Sequence, residues 1–417
     1  MSTPKEIKFD YLIIGGGIAG TTAAETIRAG DKLATIGIVS DEPYNLYSRV
    51  MLSKPDFFLE KIPFERVFLK SDTWYAEQKI SLLVGKKAEN LDIKKKSVRL
   101  NDGSEIQYNK LLLATGTCAR RLSFLGPDRP GMYYVKDLED AKTIIAAIKT
   151  TKRVVVVGGG FIGFEMCDLV VLAGYKATIV AREKHFWDPV LDKQSGDIIE
   201  NALRRAGVDV QMSSNVKEII GSEKVERVIL DNDKKIDCEM LIGGIGAECD
   251  LGWLRKSGLQ VGKGIFANEY LETNITNIWA AGDAAEYQDI ILEETVMMGN
   301  WVNAQQQGKT AGLNMLGKKQ PFRFVSFYTT QGLGVTIAFA GDVCPNKDGR
   351  KVITRAGPEK KSFGRLFVSY GELVGATFVN RTQEMGVVRQ LIEKDIKVVG
   401  KEKELADPKF DLKKLLG

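Results

Sequence analysis

Cysteine is scarce in this sequence of 417 residues, and its scarcity narrows the chemistry that the chain can carry. The five cysteines include no C-x-x-C pair, so neither a disulfide scaffold nor a zinc site is indicated, and no metal ion is expected. This usage fits a reducing compartment, and we expect the protein in the cytoplasm. The cysteines are Cys118, Cys167, Cys238, Cys249 and Cys344.

Long apolar runs and a strong excess of one charge are also missing. The nearest approach to an apolar span, residues 324–341, contains Ser326, Gln331 and several glycines, so no membrane-spanning helix is expected. The first ten residues, MSTPKEIKFD, lead directly into an apolar run, so no signal peptide is expected. The net charge of +5 is mild for this length and argues against a dedicated nucleic-acid-binding protein.

A glycine motif near the start of the chain predicts a dinucleotide-binding fold. A β-rich apolar run over residues 9–14 leads into Gly15, Gly17 and Gly20, which have the spacing G-x-G-x-x-G and are followed by helix formers. Glycines at this spacing allow a tight turn, close approach of the backbone to a pyrophosphate and close helix–strand packing. A second apolar run leads to Asp41, where an acidic residue is expected to bind ribose hydroxyls.

The same pattern recurs at Gly158, Gly160 and Gly163, within the stretch RVVVVGGGFIGFE. Aligning the ends of the two second strands places Arg182 where the first motif has Asp41. An arginine at this place suits the 2′-phosphate of NADPH, so the alignment favours NADPH over NADH. The alternative is that Arg182 is an ordinary surface residue and that the next residue, Glu183, binds the ribose of NADH.

Two further segments complete the pattern. KLLLATGT, residues 110–117, predicts a buried strand that ends in a turn of small residues. TNIWAAGDAAEY, residues 276–287, predicts a strand that ends at Gly282-Asp283 and is followed by a helical run. Asp283 could serve there simply as a helix cap.

The order GxGxxG, ATG, GxGxxG, AGD resembles that of the two-dinucleotide flavoprotein reductases, the pyridine nucleotide–disulfide oxidoreductase superfamily. The resemblance implies an α/β fold with two Rossmann-like dinucleotide-binding domains and a small α+β C-terminal domain. It implies that the first fold binds FAD, that Asp283 binds the ribityl and phosphate region of the flavin, and that the second fold binds NAD(P)H. The implied bounds are 1–120 and 250–318 for the FAD-binding domain, 121–249 for the NAD(P)H-binding domain and 319–417 for the C-terminal domain.

The absence of a redox cysteine indicates which branch of this family the sequence resembles. Disulfide reductases and NADH peroxidases carry a redox cysteine on the first helix after the first ribose-binding acid, but here no cysteine precedes Cys118 and Val50 stands at that position. The only histidine is His185, so the C-terminal histidine base of the glutathione reductase type is absent too. Because thiolate chemistry requires the thiolate, the thiol-dependent branch is excluded.

The segment Y-x-R-x-x-L-S-K, residues 47–54, instead resembles the electron-transfer reductases: rubredoxin and ferredoxin reductases, the flavin part of nitrite reductase, and apoptosis-inducing factor. The match implies that Arg49 contacts the FAD phosphate region and that Lys54 lies beside the isoalloxazine. Glu165 matches the family glutamate that pairs with this lysine near flavin N5. Phe161 is expected either to cover the flavin ring or to be a plain packing residue.

Lys54 and Glu165 are therefore the predicted catalytic residues. Trp301 begins a predicted helix, residues 299–316, that resembles the helix whose N-terminus points at the flavin pyrimidine; Trp301 could equally be a core residue. The predicted cofactor-binding residues are Gly15, Gly17, Gly20, Asp41, Arg49, Lys54, Ala114, Thr115, Gly116, Gly158, Gly160, Phe161, Ile162, Gly163, Glu165, Arg182, Gly246, Gly282, Asp283 and Trp301.

Without a thiol relay, the reduced flavin must pass electrons to a protein carrier or a small acceptor. A basic cluster over residues 347–365 would steer an acidic carrier such as rubredoxin or ferredoxin, unless it is an ordinary solvated hairpin. Its members are Lys347, Arg350, Lys351, Arg355, Lys360, Lys361 and Arg365, against Asp348 and Glu359. The alternatives are an NAD(P)H oxidase or quinone reductase, and a nucleotide-sensing interaction protein like apoptosis-inducing factor. A homodimer is left open.

Overall fold

A computed structural model describes residues 7–124, 129–357 and 361–417. The chain divides into two compact units, each assembled from three separate segments. The first unit comprises the residues up to Ser48, together with Glu65–Cys118 and Glu248–Ser326. The second comprises Arg49–Phe64, Ala119–Ala247 and Phe327–Gly417.

The secondary structure alternates between strands and helices in the first two thirds of the chain and is mainly strand after that. The helices are α1 (Ile18–Gly30), α2 (Pro55–Phe58), α3 (Asp72–Glu77), α4 (Leu138–Ile148), α5 (Phe161–Leu172), α6 (Lys193–Arg205), α7 (Trp301–Met315), α8 (Met385–Glu393) and α9 (Glu402–Ala406). Short 3₁₀ helices occur at Arg49–Ser53, Phe64–Val67, Gly282–Ala284, Thr382–Glu384 and Leu412–Leu415. In the part of the chain that the structure describes, no helix is both long and apolar enough to cross a bilayer.

The strands are β1 (Ile7–Ile14), β2 (Ile36–Val39), β3 (Ile80–Leu83), β4 (Ala88–Asp92), β5 (Ser97–Leu100), β6 (Glu105–Leu113), β7 (Cys118–Ala119), β8 (Met132–Tyr134), β9 (Arg153–Val157), β10 (Lys176–Val180), β11 (Asp209–Gln211), β12 (Val216–Ile220), β13 (Arg227–Leu230), β14 (Lys235–Asp237), β15 (Met240–Gly243), β16 (Ala247–Glu248), β17 (Ile265–Ala267), β18 (Ile278–Ala280), β19 (Ala285–Asp289), β20 (Glu294–Val296), β21 (Phe327–Gly332), β22 (Val335–Gly341), β23 (Arg350–Ala356), β24 (Phe363–Ser369) and β25 (Glu372–Val379).

The first unit is built around a mixed sheet whose central strands are parallel. Strands β3, β2, β1 and β6 run parallel in this order, β18 runs parallel to the end of β6, and β5 and β4 extend the sheet in antiparallel pairs. The central strands are apolar because both faces are covered; Ile13 and Leu112 are fully buried. Ile14, Val39 and Leu113 align, so three strands end at one edge, where open parallel sheets bind ligands.

Helices α1 and α7 of this unit pack closely because α7 has glycines, which carry no side chain, where it faces α1. A Cβ on Gly308 would lie 2.2 Å from the carbonyl oxygen of Ala19, and one on Gly312 would lie 3.0 Å from that of Ala23. This packing places the middle of α7 against the first turn of α1.

The second unit contains a parallel sheet in the order β11-β10-β9-β15-β8, with α5 leading from β9 to β10. Its central strands β9 and β15 are apolar and buried beyond Arg153, and Val157, Val180 and Gly243 align at one edge. Gly174 follows α5 in a left-handed conformation, with φ of +79°, which is common directly after a helix. A three-stranded antiparallel sheet, β12-β13-β14, follows. The predicted second strand–turn–helix motif is confirmed.

The last part of the second unit is an antiparallel sheet in the order β21-β22-β25-β24-β23, against which α8 packs. The α+β architecture expected for this region is confirmed. Phe363, Phe367 and Phe378 are buried in the core of this sheet.

The helical run predicted after Gly282-Asp283 is wrong. A single 3₁₀ turn follows β18, and the chain then enters strand β19, which pairs with β17 and β20. The segment is rich in alanine and suits a helix locally, but Ala285, Tyr287 and Asp289 alternate inward with half-buried residues. Sheet pairing and this two-residue period override the local helix propensity.

The predicted basic surface over residues 347–365 is also wrong in its main part. The side chains of Arg350, Arg355 and Arg365 are only 4%, 1% and 10% exposed. Their charges are matched internally, since Arg350 pairs with Asp342 and Arg355 pairs with Glu384. Lys360 and Glu359 lie outside the described residues. Lys351 is exposed but pairs with Glu402, so much of the positive charge on the described part of this segment is buried or paired.

Candidate functional site

The first glycine turn forms a cradle at the end of β1. Gly15 has φ of +119°, and a Cβ there would lie 2.1 Å from the carbonyl oxygen of Ala114, so the turn presses against the ATG segment. A Cβ on Gly20 would lie 2.0 Å from the Gly15 oxygen, which only glycine permits. Gly17 caps α1, and no described atom lies within 4 Å of the position that a Cβ would occupy on it. A glycine turn of this shape, open at the start of a helix, fits a pyrophosphate.

The Gly282-Asp283 turn lies in the same unit as this cradle. Gly282 has φ of +78°, and its N–H donates to the Oε1 atom of the buried Gln307 at 2.7 Å. A Cβ on Gly282 would lie 3.0 Å from that of Ala19, so the turn adjoins the first turn of α1. Asp283 is half-buried at this edge. Nothing in the sequence marks Gln307 as a partner of this turn, because the contact depends on how α7 packs.

The remaining predicted residues of the first unit lie around these two turns. Thr115 is exposed, and Gly116 has φ of +66° in the ATG turn. Asp41 is exposed just beyond the end of β2. Trp301 is half-buried at the start of α7, whose cap is Asn300.

The second glycine turn repeats the geometry of the first. Gly158 has φ of +118°, and a Cβ there would lie 2.3 Å from the carbonyl oxygen of Gly244. A Cβ on Gly163 would lie 1.9 Å from the Gly158 oxygen, while Gly160 caps α5. Ile162 contacts Gly244, because a Cβ on that glycine would lie 3.3 Å from its side chain. The second unit therefore contains a cradle of the same type.

Gly246 follows the strand β15 much as Gly116 follows β6. It has φ of +104°, and its carbonyl oxygen accepts the N–H of Arg120 at 3.0 Å. The two cradles thus share a strand end, a glycine turn and a second turn in a left-handed conformation. The repeated glycine spacing in the sequence already indicated this duplication.

Glu183, rather than Arg182, lies against the second glycine turn. A Cβ on Gly159 would lie 3.4 Å from Glu183 Oε2, and this oxygen is buried without a hydrogen-bond partner in the described part of the chain. The Arg182 side chain is 78% exposed, and its Nε atom lies 3.3 Å from Glu183 Oε1. A carboxylate at this place is suited to accept hydrogen bonds from ribose hydroxyls.

Lys54 and Glu165 meet in the second unit, as the sequence predicted. Lys54 Nζ donates to Glu165 Oε1 at 2.5 Å, and the Glu165 side chain is only 1% exposed. Thr330 of β21 donates its hydroxyl to the same oxygen at 2.6 Å. Glu165 Oε2 is buried and has no partner in the described chain. A buried carboxylate requires such partners, so Thr330 is part of the site, although nothing in the sequence marked it.

Asp168 lies one turn after Glu165 on α5 and adds a second acidic group. Burial raises the pKa of Asp168, and the neighbouring charge of Glu165 raises it further. The N–H of Leu333 donates to its Oδ1 atom at 3.4 Å. The cluster therefore contains one cation and two carboxyl groups.

Three aromatic rings surround that of Phe161, the first residue of α5. The ring of Phe161 lies with its centroid 4.0 Å from that of Tyr328, 4.8 Å from that of Trp187 and 5.1 Å from that of Phe339. Contacts of this kind favour tilted or edge-on packing, as observed here. Phe161 directly follows the glycine turn, so the aromatic cluster lies beside the cradle of the second unit.

The position expected of a redox cysteine is occupied by Val50, in the 3₁₀ helix that precedes Lys54. Arg49 of the same helix donates to the carbonyl oxygen of Lys136 at 2.8 Å. No disulfide links the five cysteines, all of which lie in described segments. Cys249 Sγ lies 3.9 Å from the carbonyl oxygen of Asp283, a proximity that the sequence did not indicate.

If the two cradles hold FAD and a nicotinamide nucleotide, as the resemblance implies, alkylation of accessible thiols is expected to leave reduction of the flavin by that nucleotide intact. Cys167 and Cys238 are buried, and burial raises the pKa of both thiols, that of Cys238 to about 12. The reduction rate after treatment with iodoacetamide, measured with excess FAD, tests this. Cys249→Ser is the control, because a bulky adduct beside Asp283 would disturb that loop. A loss of flavin reduction in the folded, alkylated Cys249→Ser variant would contradict the absence of a thiol relay.

Comparison with known proteins identifies the family. The family described as pyridine nucleotide-disulphide oxidoreductase matches residues 9–308, which is more than half of the chain. The chain belongs to this family. A second family, described as reductase C-terminal, matches residues 326–416. This member of the family is therefore an oxidoreductase that uses FAD and NAD(H), in agreement with the two cradles.

Relatives place this oxidoreductase in the ferredoxin reductase branch. It is 30% identical to the 5,5'-dehydrodivanillate O-demethylase ferredoxin reductase subunit of Sphingobium sp., over 98% of each chain. It is 27% identical to a rubredoxin-NAD(+) reductase of Pseudomonas putida, over 90% of this chain and 97% of that protein. The reductase in a covalent putidaredoxin reductase–putidaredoxin complex has a TM-score of 0.91, 25% identity and 98% coverage of both chains. The predicted family and fold class are confirmed.

Proposed function

We propose that this protein passes hydride from NADH to FAD and then electrons from FAD to a small protein carrier of the ferredoxin or rubredoxin class. The observation that carries the proposal is the buried Glu165 carboxylate, which Lys54 and Thr330 hold beside the second glycine turn. Val50 stands where a thiol relay would need cysteine. The names of the relatives, which include ferredoxin and rubredoxin reductases, support the choice of carrier.

We assign FAD to the first unit and the nicotinamide nucleotide to the cradle of the second. When bound, the flavin accepts hydride from the nicotinamide and returns electrons singly. The cradle of Gly15, Gly17 and Gly20, together with Asp283, would hold FAD phosphates and the ribityl chain. Asp41 would accept hydrogen bonds from the ribose. Domain bounds of 1–120 with 250–318, 121–249, and 319–417 are proposed on the same basis.

We assign Lys54 and Glu165 to the reaction itself. The Glu165 carboxylate fixes the Lys54 ammonium, and Thr330 fixes the carboxylate, so the cation is held in one place rather than left mobile. A fixed cation of this kind orients reacting groups and stabilises negative charge without reorganisation. We assign Arg49 to the flavin phosphates, and Phe161 to covering the site at which the nicotinamide enters.

The proposed nucleotide is NADH, which reverses the preference drawn from the aligned sequence. Support comes from Glu183, whose unpartnered oxygen lies against Gly159 while Arg182 is largely exposed. A carboxylate at the ribose accepts hydrogen bonds from free hydroxyls and repels a 2′-phosphate. The comparison proteins whose names specify a nucleotide include NAD(+) reductases.

The purified protein is expected to be yellow and to contain one non-covalent FAD per chain. Asp283→Ala should lower the FAD content more than it changes folding, because Asp283 is half-buried and belongs to a turn that other contacts hold. Flavin absorbance and circular dichroism on the same samples test this. Asp289→Asn, a change at a buried acid of the adjoining strand, is the control for general destabilisation. A colourless wild-type protein that FAD does not reconstitute would contradict the proposal.

A further inference from the structure

One row of side chains crosses the C-terminal sheet and faces the nicotinamide cradle. Tyr328 of β21 is paired with Phe339 of β22, Phe339 with Thr377 of β25, and Thr377 with Arg365 of β24. Directly paired residues of neighbouring strands point to the same face of a sheet. Since Tyr328 and Phe339 contact Phe161, the guanidinium of Arg365 points to the same side as these rings.

Arg365 uses this position to hold the loop that follows β10. Its side chain is 10% exposed, and its Nη1 atom donates to the carbonyl oxygens of Pro189 at 3.3 Å and of Val190 at 2.5 Å. Its Nε atom lies 4.0 Å from a carboxylate oxygen of Asp192, the residue that caps α6. One buried cation from the C-terminal sheet thus donates to two carbonyl oxygens of this loop and lies near the carboxylate of Asp192.

The same loop carries Trp187, which packs against the rings of Phe161 and Phe339. Trp187 has φ of +55°, a conformation that a tryptophan adopts only when its surroundings impose it. Glu183, whose carboxylate lies against the glycine turn, lies just before this part of the loop, residues 186–192. Arg365 therefore holds a segment that contacts the cradle in two places. Glu183 lies against Gly159, and Trp187 packs against Phe161.

We propose that Arg365 is a positioning residue for the nicotinamide nucleotide: through the loop of residues 186–192 it holds Trp187, and thereby Phe161, in the geometry that receives NADH. The proposal rests on the proposed function, since it assigns NADH to this cradle. It gives the C-terminal sheet a part in nucleotide binding. Arginine is needed because its planar group reaches several acceptors at once, whereas lysine offers one compact charge.

The test compares Arg365→Lys with Arg355→Lys. Arg355 is a matched control, because it is a buried arginine of the neighbouring strand β23 but donates to Glu384 and to the carbonyl oxygen of Leu405, away from the loop. Hydrogen exchange of residues 186–192 is followed by mass spectrometry without nucleotide. In parallel, kcat and KM for NADH are measured with an artificial acceptor. Trp187→Leu is the second variant, which removes the ring contacts and keeps the carbonyl contacts.

Arg365→Lys should speed exchange in residues 186–192 and raise the KM for NADH by about tenfold, the effect of one lost charge-assisted hydrogen bond. Its kcat and FAD content should change much less. Trp187→Leu should raise the same KM, and Arg355→Lys should leave it near the wild-type value. Unchanged exchange, faster exchange with unchanged KM, or an equal rise of KM in Arg355→Lys would each overturn the proposal. A wild-type enzyme that does not oxidise NADH would overturn the proposed function as well, while the exchange data still report on the Arg365 contact.

Discussion

Glu183→Ala is expected to lower kcat/KM for NADH by about ten- to a hundredfold, because hydrogen bonds to a charged group contribute about 1.5–3 kcal/mol. The Glu183 Oε2 atom is buried against the second glycine turn and has no partner among the described residues, so a ribose hydroxyl is the group that would satisfy it. The effect on NADPH should be small or favourable, since the carboxylate repels a 2′-phosphate. Steady-state kinetics with both nucleotides measures this.

Arg182→Ala is the matched control for this experiment, because Arg182 adjoins Glu183 and pairs with it at 3.3 Å. Its side chain is 78% exposed, so its removal should leave the kinetics with NADH nearly unchanged. Glu183→Gln should retain part of the NADH activity, because it keeps the shape of the side chain. A wild-type preference for NADPH that Arg182→Ala abolishes would contradict the assignment and restore the prediction from the aligned strands.

Lys54→Met is expected to slow reduction of the flavin by NADH by about a hundredfold or more, as found when a preorganised charge is removed from an active site. FAD should remain bound, because the glycine cradle and Asp283, which we assign to its phosphates and ribityl chain, are unchanged. The variant should also be less stable, since it leaves the buried Glu165 carboxylate with Thr330 as its remaining partner among the described residues. Stopped-flow absorbance and thermal unfolding measure the two effects.

A double variant separates the two effects. In Lys54→Met with Glu165→Leu, no carboxylate is left buried, so much of the lost stability should return, but the slow reduction should persist. Lys61→Met is the surface control, because Lys61 pairs with Asp56 where both side chains are more than half exposed, and its stability should change by about 0.5 kcal/mol or less. Recovery of the reduction rate in the double variant would contradict a catalytic role for the pair.

Much of the fold could be predicted, because glycine spacing and strand patterns are local features. Both glycine turns fall where G-x-G-x-x-G predicts them, since steric exclusion at Gly15 and Gly158 leaves no alternative residue. Strand β19 was mistaken for a helix because its alanines favour a helix locally, whereas pairing with β17 and β20 depends on distant segments. The burial of Arg355 was missed for the same reason: Glu384 lies 29 residues away in the chain.

Site residues that belong to a sequence motif could be predicted, whereas residues that tertiary packing brings to the site could not. Lys54 and Glu165 are 111 residues apart, yet their contexts paired them correctly. Thr330 and Arg365 carry no motif, because their importance comes from the register of the C-terminal sheet. The choice between Arg182 and Glu183 depended on which side chain turns back to Gly159, and strand alignment does not determine this.

An anaerobic titration of the purified protein with NADH, followed by back-titration with an oxidised ferredoxin or rubredoxin, tests the central claim most directly. The claim is that electrons pass from NADH through FAD to a protein carrier without a thiol relay. One equivalent of NADH per FAD should bleach the flavin completely, and the carrier should then restore its absorbance at a rate compatible with turnover. Uptake of a second NADH equivalent before full reduction would reveal a hidden disulfide. A reduced flavin that reacts with oxygen or quinones but not with either carrier would contradict the account.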